Sequence, residues 1–376
     1  MVRSRPLYRK HRAERGCAAS PRHPRHAALV LEDADRVEAR QTSRLAPCMT
    51  TPQLRHAPFS SAPAWLACLA LVSACTTAEP SVAPLDVVPS GDTGAEAADE
   101  TQPAPDVAPP GPACNGSVAL CGRRLDQVVF ATAHNAFNNE AEGWLLPNQK
   151  YGLTRQLHDG VRGFMLDAWP YDGEDAALQD KTTLCHGPCG LGAEWLRDGL
   201  GKLHDFLHED PRAVLVIVFE NHVGEAELDI ELQASGLLDH THAHTAGTPW
   251  ATLGVLVAAD QRVVILTEEG PATRPWNHPY LQTAFDTPFA VKQPAGFTCS
   301  VGRGQAGNDL FVLNHFLTNP IGSAKQASLV NFNPLLLDRA LQCQTERQHL
   351  PNLIAVDFYD LGDVLAVTDT LNGAGR

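Results

Sequence analysis

The chain has 376 residues, of which 44% are hydrophobic and 19% charged, so it can form one large domain with extensions or two ordinary domains. This composition excludes collagen, a coiled coil and a polytopic membrane protein. The net charge of −14 is unevenly distributed, because residues 76–376 carry 17 basic and 38 acidic side chains, a balance of −21. Such a field repels phosphate backbones and anionic headgroups, which argues against nucleic acid as a partner and against polybasic docking to membranes.

An uncharged apolar run at residues 62–74 (APAWLACLALVSA) predicts an export signal. The run is too short for a bilayer, which needs about 20 residues, but it has the length of a signal-peptide core. It ends in Val-Ser-Ala-Cys, which resembles a bacterial lipobox with Cys75 as the lipidated residue. We therefore expect a lipoprotein signal peptide at 49–75 and a membrane anchor on the cell envelope, or secretion. Residues 1–48 are then untranslated or disordered; the alternative is an Arg-rich tail before a buried helix.

The segment that follows, residues 76–112, predicts a disordered linker. It is rich in Pro, Ala, Asp and Glu and has no apolar period. The folded domain is expected at residues 113–376.

Six cysteines fall within that domain, and four lie at or before Cys75. An even number of cysteines in an exported domain favours disulfides, whereas a zinc site would need a second closely spaced pair. Of the 15 possible pairings we favour Cys114–Cys121, Cys185–Cys189 and Cys299–Cys343.

Short β-rich runs alternate with longer, partly helical segments from residue 125 onward, which is typical of βα units around a parallel sheet. One helix is expected at 194–208, where large apolar residues recur with helical spacing. Eight candidate strands predict an α/β fold of the TIM-type (β/α)8 barrel kind, in an irregular form. The candidate strands are 128–133, 161–168, 182–185, 213–219, 262–267, 288–292, 310–314 and 353–359.

Histidines and carboxylates collect at the carboxyl ends of six of these eight runs. In a barrel all such ends open on the same face, where active sites lie. A single polar residue after a strand is usually a turn former or a helix cap, but six together predict a site. The residues concerned are His134, Asn135, Asp167, His186, Glu220, Asn221, His222, Asn314, His315 and Asp357.

Several motifs in a fixed order resemble the X domain of phosphatidylinositol-specific phospholipase C, in the branch of PLC-like phosphodiesterases found in plants, fungi and bacteria. The resemblance runs from Cys114 to about Asn372 and implies an irregular TIM-type barrel. The motifs are ATAHNAF at 131–137, Asn148-Gln149, DGVRGFMLDAW at 159–169, LCHG at 184–187, FENH at 219–222, LNHF at 313–316 and AVDFYDLGD at 355–363.

The resemblance implies a role for each matching position. His134 is the general base on an inositol 2-hydroxyl, and His186 is the general acid that protonates the leaving glyceride oxygen. A displacement at phosphorus needs such a pair, and imidazoles titrate near working pH. Three oxygen-bearing residues match the cation ligands of metal-dependent members and suit Ca2+, with Mg2+ as the alternative. They are Asn135, Asp167 and Glu220.

The chain departs from the family pattern at two positions. Met165 stands where animal enzymes have a further carboxylate ligand, so a metal would be held by fewer charges. Asp167 stands where metal-independent bacterial enzymes have an arginine that neutralises the phosphate. Because an aspartate cannot do this, and because the body is acidic, we expect a bound cation.

Other polar residues receive weaker interpretations. Asp357 either orients His134 and holds its tautomer or merely caps a helix. Arg162 lies inside a strand and is expected in a structural salt bridge. No role follows for His222 or His315. The alternating histidines of the HTHAH segment are expected to be solvated and not to bind metal; they are His240, His242 and His244.

The predicted function is phosphoric diester hydrolysis of the phospholipase C type, on a lipid or headgroup phosphodiester. The alternative is a catalytically silent barrel on the cell surface that binds a headgroup or a glycan. A third interpretation, a glycerophosphodiester phosphodiesterase or sphingomyelinase D, expects paired carboxylates near Asp167, and Met165 speaks against it. Analogy of fold cannot identify the substrate.

Overall fold

The computed structural model describes residues 112–374, which lie within one compact unit, Ala98–Arg376. The predicted signal peptide, Cys75 and the linker up to residue 111 lie outside the described residues. In the described range, no helix has the length and apolar character needed to cross a membrane.

The described residues contain ten strands and nine α-helices. The strands are β1 Phe130–Ala133, β2 Gly163–Pro170, β3 Thr182–Leu184, β4 Glu194–Trp195, β5 Leu215–Asn221, β6 Val263–Thr267, β7 Asn277–Pro279, β8 Ala284–Asp286, β9 Leu310–Asn314 and β10 Pro351–Val356. The helices are α1 Val118–Cys121, α2 Leu153–Asp159, α3 Leu196–Glu209, α4 Glu225–Ala234, α5 Leu253–Ala258, α6 Tyr280–Thr283, α7 Ala324–Val330, α8 Leu335–Arg347 and α9 Val364–Leu371.

Eight strands form a parallel sheet in the order β7-β6-β5-β2-β1-β10-β9-β8. The first strand of the chain pairs with the last, β1 with β10, and the other neighbours follow chain order, as in a TIM barrel. Among the described strands, β7 and β8 do not pair, which leaves one seam in the barrel. The predicted fold class, an irregular α/β barrel, is confirmed.

Two of the eight predicted barrel strands are wrong. Run 182–185 supplies β3, which pairs antiparallel with β2 and with β4 and forms an excursion outside the barrel. Run 288–292 is not a strand; β7 and β8 are the barrel strands of this region. With three residues each, and with polar residues in both, they are too short to show an apolar period.

Alternate residues of each barrel strand divide the core into two parts. In β5, Leu215, Ile217 and Phe219 belong to the cluster that the helices cover, while Val216 and Val218 belong to the other cluster, inside the barrel. The helix predicted at 194–208 is confirmed as α3, and its leucines and Phe206 lie in the outer cluster.

The three favoured disulfides are all present. They are Cys114–Cys121, Cys185–Cys189 and Cys299–Cys343. Arg162 also forms the expected salt bridge, with 3.4 Å between its Nη2 and Oδ2 of Asp210.

The expectation that the HTHAH segment is solvated is wrong. His240 and His242 are buried, and the side chain of His244 is covered by stacking on Trp250, with ring centroids 3.7 Å apart. The segment packs against the barrel because Thr241 and His242 join the start of β6 through a parallel bridge and a backbone hydrogen bond.

Candidate active site at the barrel mouth

The predicted site residues converge because parallel strands end on one face. His134 and Asn135 follow β1, and Asp357 follows β10, its neighbour in the sheet. Asp167 in β2 and Glu220 in β5 are register partners, so their side chains lie on the same face. These five residues therefore lie together at the mouth of the barrel.

His186 follows a strand that is not part of the barrel, contrary to the prediction. It follows β3 in the antiparallel excursion, and the disulfide Cys185–Cys189 closes a short loop around it. It nevertheless lines the same cavity of about 450 Å³ as His134, Asn135 and Glu220.

His134 is held from two sides. Its Nδ1 lies 2.8 Å from Oδ1 of Asp357, and its ring stacks on Phe316 with centroids 3.8 Å apart. Asp357 is only 2% exposed. A carboxylate that accepts from Nδ1–H leaves Nε2 of the neutral imidazole free to take a proton.

Asn148 connects the parts of this site. Its amide nitrogen donates to Oδ1 of Asp357 over 3.0 Å, and its oxygen accepts from the amides of Asn135 and Asn138. Asn148 received no role from the sequence, although it lies in one of the motifs that carry the family resemblance. Its contacts show that it orients the aspartate which in turn orients His134.

Asn135 follows His134 in the chain and contacts His186 through its side chain. Its amide nitrogen lies 3.3 Å from Nδ1 of His186, and its backbone adopts a left-handed φ of 45°, which asparagine tolerates better than most residues. Burial and the neighbouring His134 lower the pKa of His186. The lowered pKa makes the imidazolium of His186 a stronger acid and at the same time reduces its population at neutral pH.

Three carboxylates border a smaller cavity of about 80 Å³ that adjoins the larger one. Asp167 is 2% exposed, and its Oδ2 has no hydrogen-bond partner among residues 112–374. Glu220 is half exposed and contacts Nε2 of His222 at 2.8 Å. Burial, together with Glu220 and Glu268, raises the pKa of Asp167 well above its usual range. An unpaired buried carboxylate oxygen beside further hard oxygen donors fits a divalent cation such as Ca2+.

Glu268 and Arg303 line this cavity and were missed by the sequence interpretation. Glu268 directly follows β6, so the same strand-end rule that found the other residues would have found it. Arg303 lies in the loop between β8 and β9 and donates hydrogen bonds to Glu268 and Asp286. No periodic pattern in the sequence marks it.

The described residues thus form an open parallel barrel with two histidines, His134 and His186, and four carboxylates at its mouth. The chain belongs to the PI-PLC X domain family, because the family profile described as PI-PLC X 1 matches residues 120–372, well over half of its length.

Similar proteins include an uncharacterized secreted protein of Arthroderma benhamiae, 26% identical over 67% of this chain and 61% of its own. PI-PLC X domain-containing protein 1 of the same fungus is 26% identical over 69% of this chain and 89% of its own. A PI-PLC X domain-containing protein of Arabidopsis thaliana is 26% identical over 70% of this chain and 66% of its own. The chain thus spans less than two thirds of the length of two of these relatives.

Solved structures similar to this chain include a phosphatidylinositol-specific phospholipase C from Staphylococcus aureus. It has a TM-score of 0.44 and 11% identity, over 68% of this chain and 95% of its own. PLC21 of L. pealei has a TM-score of 0.30 and 18% identity, over 40% of this chain and 19% of its own.

Proposed function

We propose that the protein is a phosphoric diester hydrolase that cleaves a lipid or headgroup phosphodiester in the manner of phospholipase C. The observation that carries the proposal is the pair His134 and His186 in one cavity, the first oriented by a buried aspartate. Membership of the PI-PLC X domain family supports the same reaction class.

The two histidines divide the proton transfers between them. Nε2 of His134 removes the proton of an attacking hydroxyl, which belongs to the substrate or to water. The oxygen of that hydroxyl forms a bond to phosphorus. The bond from phosphorus to the leaving oxygen breaks, and His186 donates its proton to that oxygen. Asp357 stabilises the imidazolium that forms on His134 and does not itself leave the carboxylate state.

Asn135, Asp167 and Glu220 are the proposed cation ligands, with Ca2+ favoured over Mg2+. Glu268 borders the same cavity and supplies a carboxylate in a region where Met165 offers none. When bound, the cation would offset the negative charge of the phosphodiester. Arg303 cannot readily take over this task, because Glu268 and Asp286 already neutralise it.

The rim of the larger cavity suits an amphiphilic substrate. Leu145 and Leu146 are 59% and 55% exposed, and Phe289 and Ile321 are also exposed on the lining of this cavity. Exposed apolar groups around a polar centre mark surfaces that contact lipids or other apolar partners. Export is supported by a relative that is named a secreted protein, while anchoring through lipidated Cys75 remains a prediction.

A substrate panel tests the proposal directly. Phosphatidylinositol, lysolipids and soluble phosphodiesters are incubated with the protein in calcium and in chelator. We expect at least one of them to be cleaved in calcium. Cleavage by none of them would favour the catalytically silent barrel.

Asp167→Asn tests the cation. It should weaken cation binding, so that activity recovers partly at high calcium, whereas Asp338→Asn on the exposed side of α8 should change nothing. Full activity of Asp167→Asn in chelator would refute the metal assignment while leaving the two histidines in place.

A further inference from the structure

We infer a second metal site, of the zinc type, formed by His204, His208 and His240. Three ring nitrogens, one from each histidine, lie within 4.8 Å of one another. The cluster does not involve the proposed catalytic residues, and the proposed function neither needs it nor explains it.

The spacing within the cluster fits a metal ion. His204 and His208 are four residues apart on α3 and so share one face of the helix. Their Nε2 atoms are 3.1 Å apart. Two ligands of a tetrahedral zinc ion, each about 2.0–2.1 Å from the metal, are roughly 3.3–3.4 Å apart, so the pair needs to move very little.

His240 brings the third imidazole from another part of the chain. It ends the 3-10 helix Leu237–His240 and is 7% exposed. The backbone approaches the cluster closely at Gly236, where a Cβ atom would lie 2.8 Å from Nε2 of His204. A larger residue at position 236 would displace His204.

Two carboxylates contact the outer edges of the imidazoles. Oδ1 of Asp260 lies 3.1 Å from Nδ1 of His240, and Oδ1 of Asp205 lies 3.5 Å from Nδ1 of His204. Carboxylates in contact with metal-binding histidines orient the rings and increase their basicity. Oδ1 of Asp260 also accepts a hydrogen bond from Nε of Arg262, so this carboxylate serves to orient His240 more than to add net negative charge.

The cluster lies at the opposite end of the barrel from the proposed active site. His204 and His208 belong to the last two turns of α3, which leads into the start of β5, and Asp260 precedes β6. The amino-terminal ends of parallel strands form the face opposite the mouth. A metal here would connect α3 to the segment after α4 and stabilise the fold, and the exposed His208 leaves a position open to water.

The two sites differ in chemistry, so they can be tested separately. Three imidazoles suit Zn2+ and its spectroscopic substitute Co2+, whereas the oxygen ligands at the mouth suit Ca2+. The full chain, stripped with chelator, is titrated with Zn2+ by calorimetry in saturating Ca2+. We expect one zinc ion per chain at this site, a higher Tm in zinc, and a tetrahedral Co2+ absorption spectrum.

Single replacements establish which residues bind. His204→Ala and His208→Ala, neither of which opens the core, should each weaken zinc binding about tenfold or more and abolish the Tm increase. His158→Ala is the matched control, because His158 is also a helical histidine beside a carboxylate, Glu209. His240→Ala should act like the other two if circular dichroism shows an intact fold.

Two results would overturn the inference. One is zinc affinity and Tm that do not change in His204→Ala and His208→Ala. The other is an absence of stoichiometric binding in calcium. Activity on phosphodiesters does not enter either readout, so failure of the proposed function and failure of the zinc site are distinguishable.

Discussion

At the scale of single residues, the contact between His134 and Asp357 decides how the site can work. The sequence left Asp357 open between an orienting role and a helix cap, because a strand end alone does not show which way a side chain points. The aspartate lies against His134 and is held there by Asn148. Its backbone position after β10 was predictable, but the contact depends on the pairing of the first and last strands.

Replacing Asp357 by Asn should reduce kcat/KM on the order of 10²- to 10⁴-fold, because an amide can hold the wrong imidazole tautomer and cannot stabilise an imidazolium. The measurement is a rate on the substrate that the panel identifies, with Tm as a check on folding. Asp360→Asn, three residues further along, is the control and should stay within a factor of a few of wild type. A rate for Asp357→Asn equal to that of the control would show that Asp357 does not act on His134 in catalysis; a capping role is already excluded, because the N-cap residue of the next helix is Asp363.

His134→Ala and His186→Ala should each cost about 10²- to 10⁴-fold in rate. The double variant should be far less impaired than the product of the two effects, because both side chains serve one transition state. His158→Ala, which removes a histidine of α2 that lies outside the proposed site, is the control. Wild-type turnover in both single variants would disprove the mechanism.

At the scale of elements, predictability followed length and periodicity. Helix α3 was predictable because its leucines and Phe206 mark one face over fourteen residues. Strands β7 and β8 were not, since three residues cannot display a period. His186 was correctly predicted at the mouth, but the run before it was wrongly predicted as a barrel strand. That run is β3, which pairs antiparallel with β2, and the sequence does not distinguish such a strand from one in the barrel.

Disulfide Cys299–Cys343 fastens α8 to the loop before β9 across 44 residues of sequence, whereas Cys114–Cys121 spans 7. In the chain-entropy model the longer loop stabilises by about 4 kcal/mol and the shorter by about 2.5 kcal/mol. The double variant Cys299→Ala/Cys343→Ala should therefore lose more free energy of unfolding in urea than Cys114→Ala/Cys121→Ala. A larger loss from the shorter loop would contradict this order, and thiol titration of the unreduced protein should detect no free cysteine among the six.

At the scale of the whole molecule, buried neutral histidines make stability depend on pH. Burial, followed by the charge of Arg339, lowers the pKa of His315 to about 3, and burial lowers that of His278 to about 4. The unfolded chain takes up these protons near pH 6.5, whereas the folded protein does so only below these values. The stabilisation is thus complete above pH 6.5 and is lost as the pH falls.

We expect the free energy of unfolding to decrease by roughly 1.4 kcal/mol per pH unit for each of these two groups, between about pH 6 and pH 4. Denaturant unfolding at a series of pH values measures the slope. In the wild type, Nε2 of His278 faces the backbone carbonyl of His242. The variant His278→Gln keeps a hydrogen-bond donor for this carbonyl but does not titrate, so its free energy of unfolding should depend less steeply on pH. Equal slopes in the variant and the wild type would show that other groups dominate.

The seam between β7 and β8 has a consequence for motion within the native state. The barrel is continuous through the β1–β10 pair. Across the seam the connection is made by side chains: Arg303 forms ion pairs with Glu268, which follows β6, and with Asp286 in β8. The two edges at the seam can separate without breaking a backbone hydrogen bond between them, whereas the centre of the sheet cannot. Amide hydrogens of β7 and β8 should therefore exchange with solvent by local opening, and those of β1 and β10 only when the whole barrel unfolds.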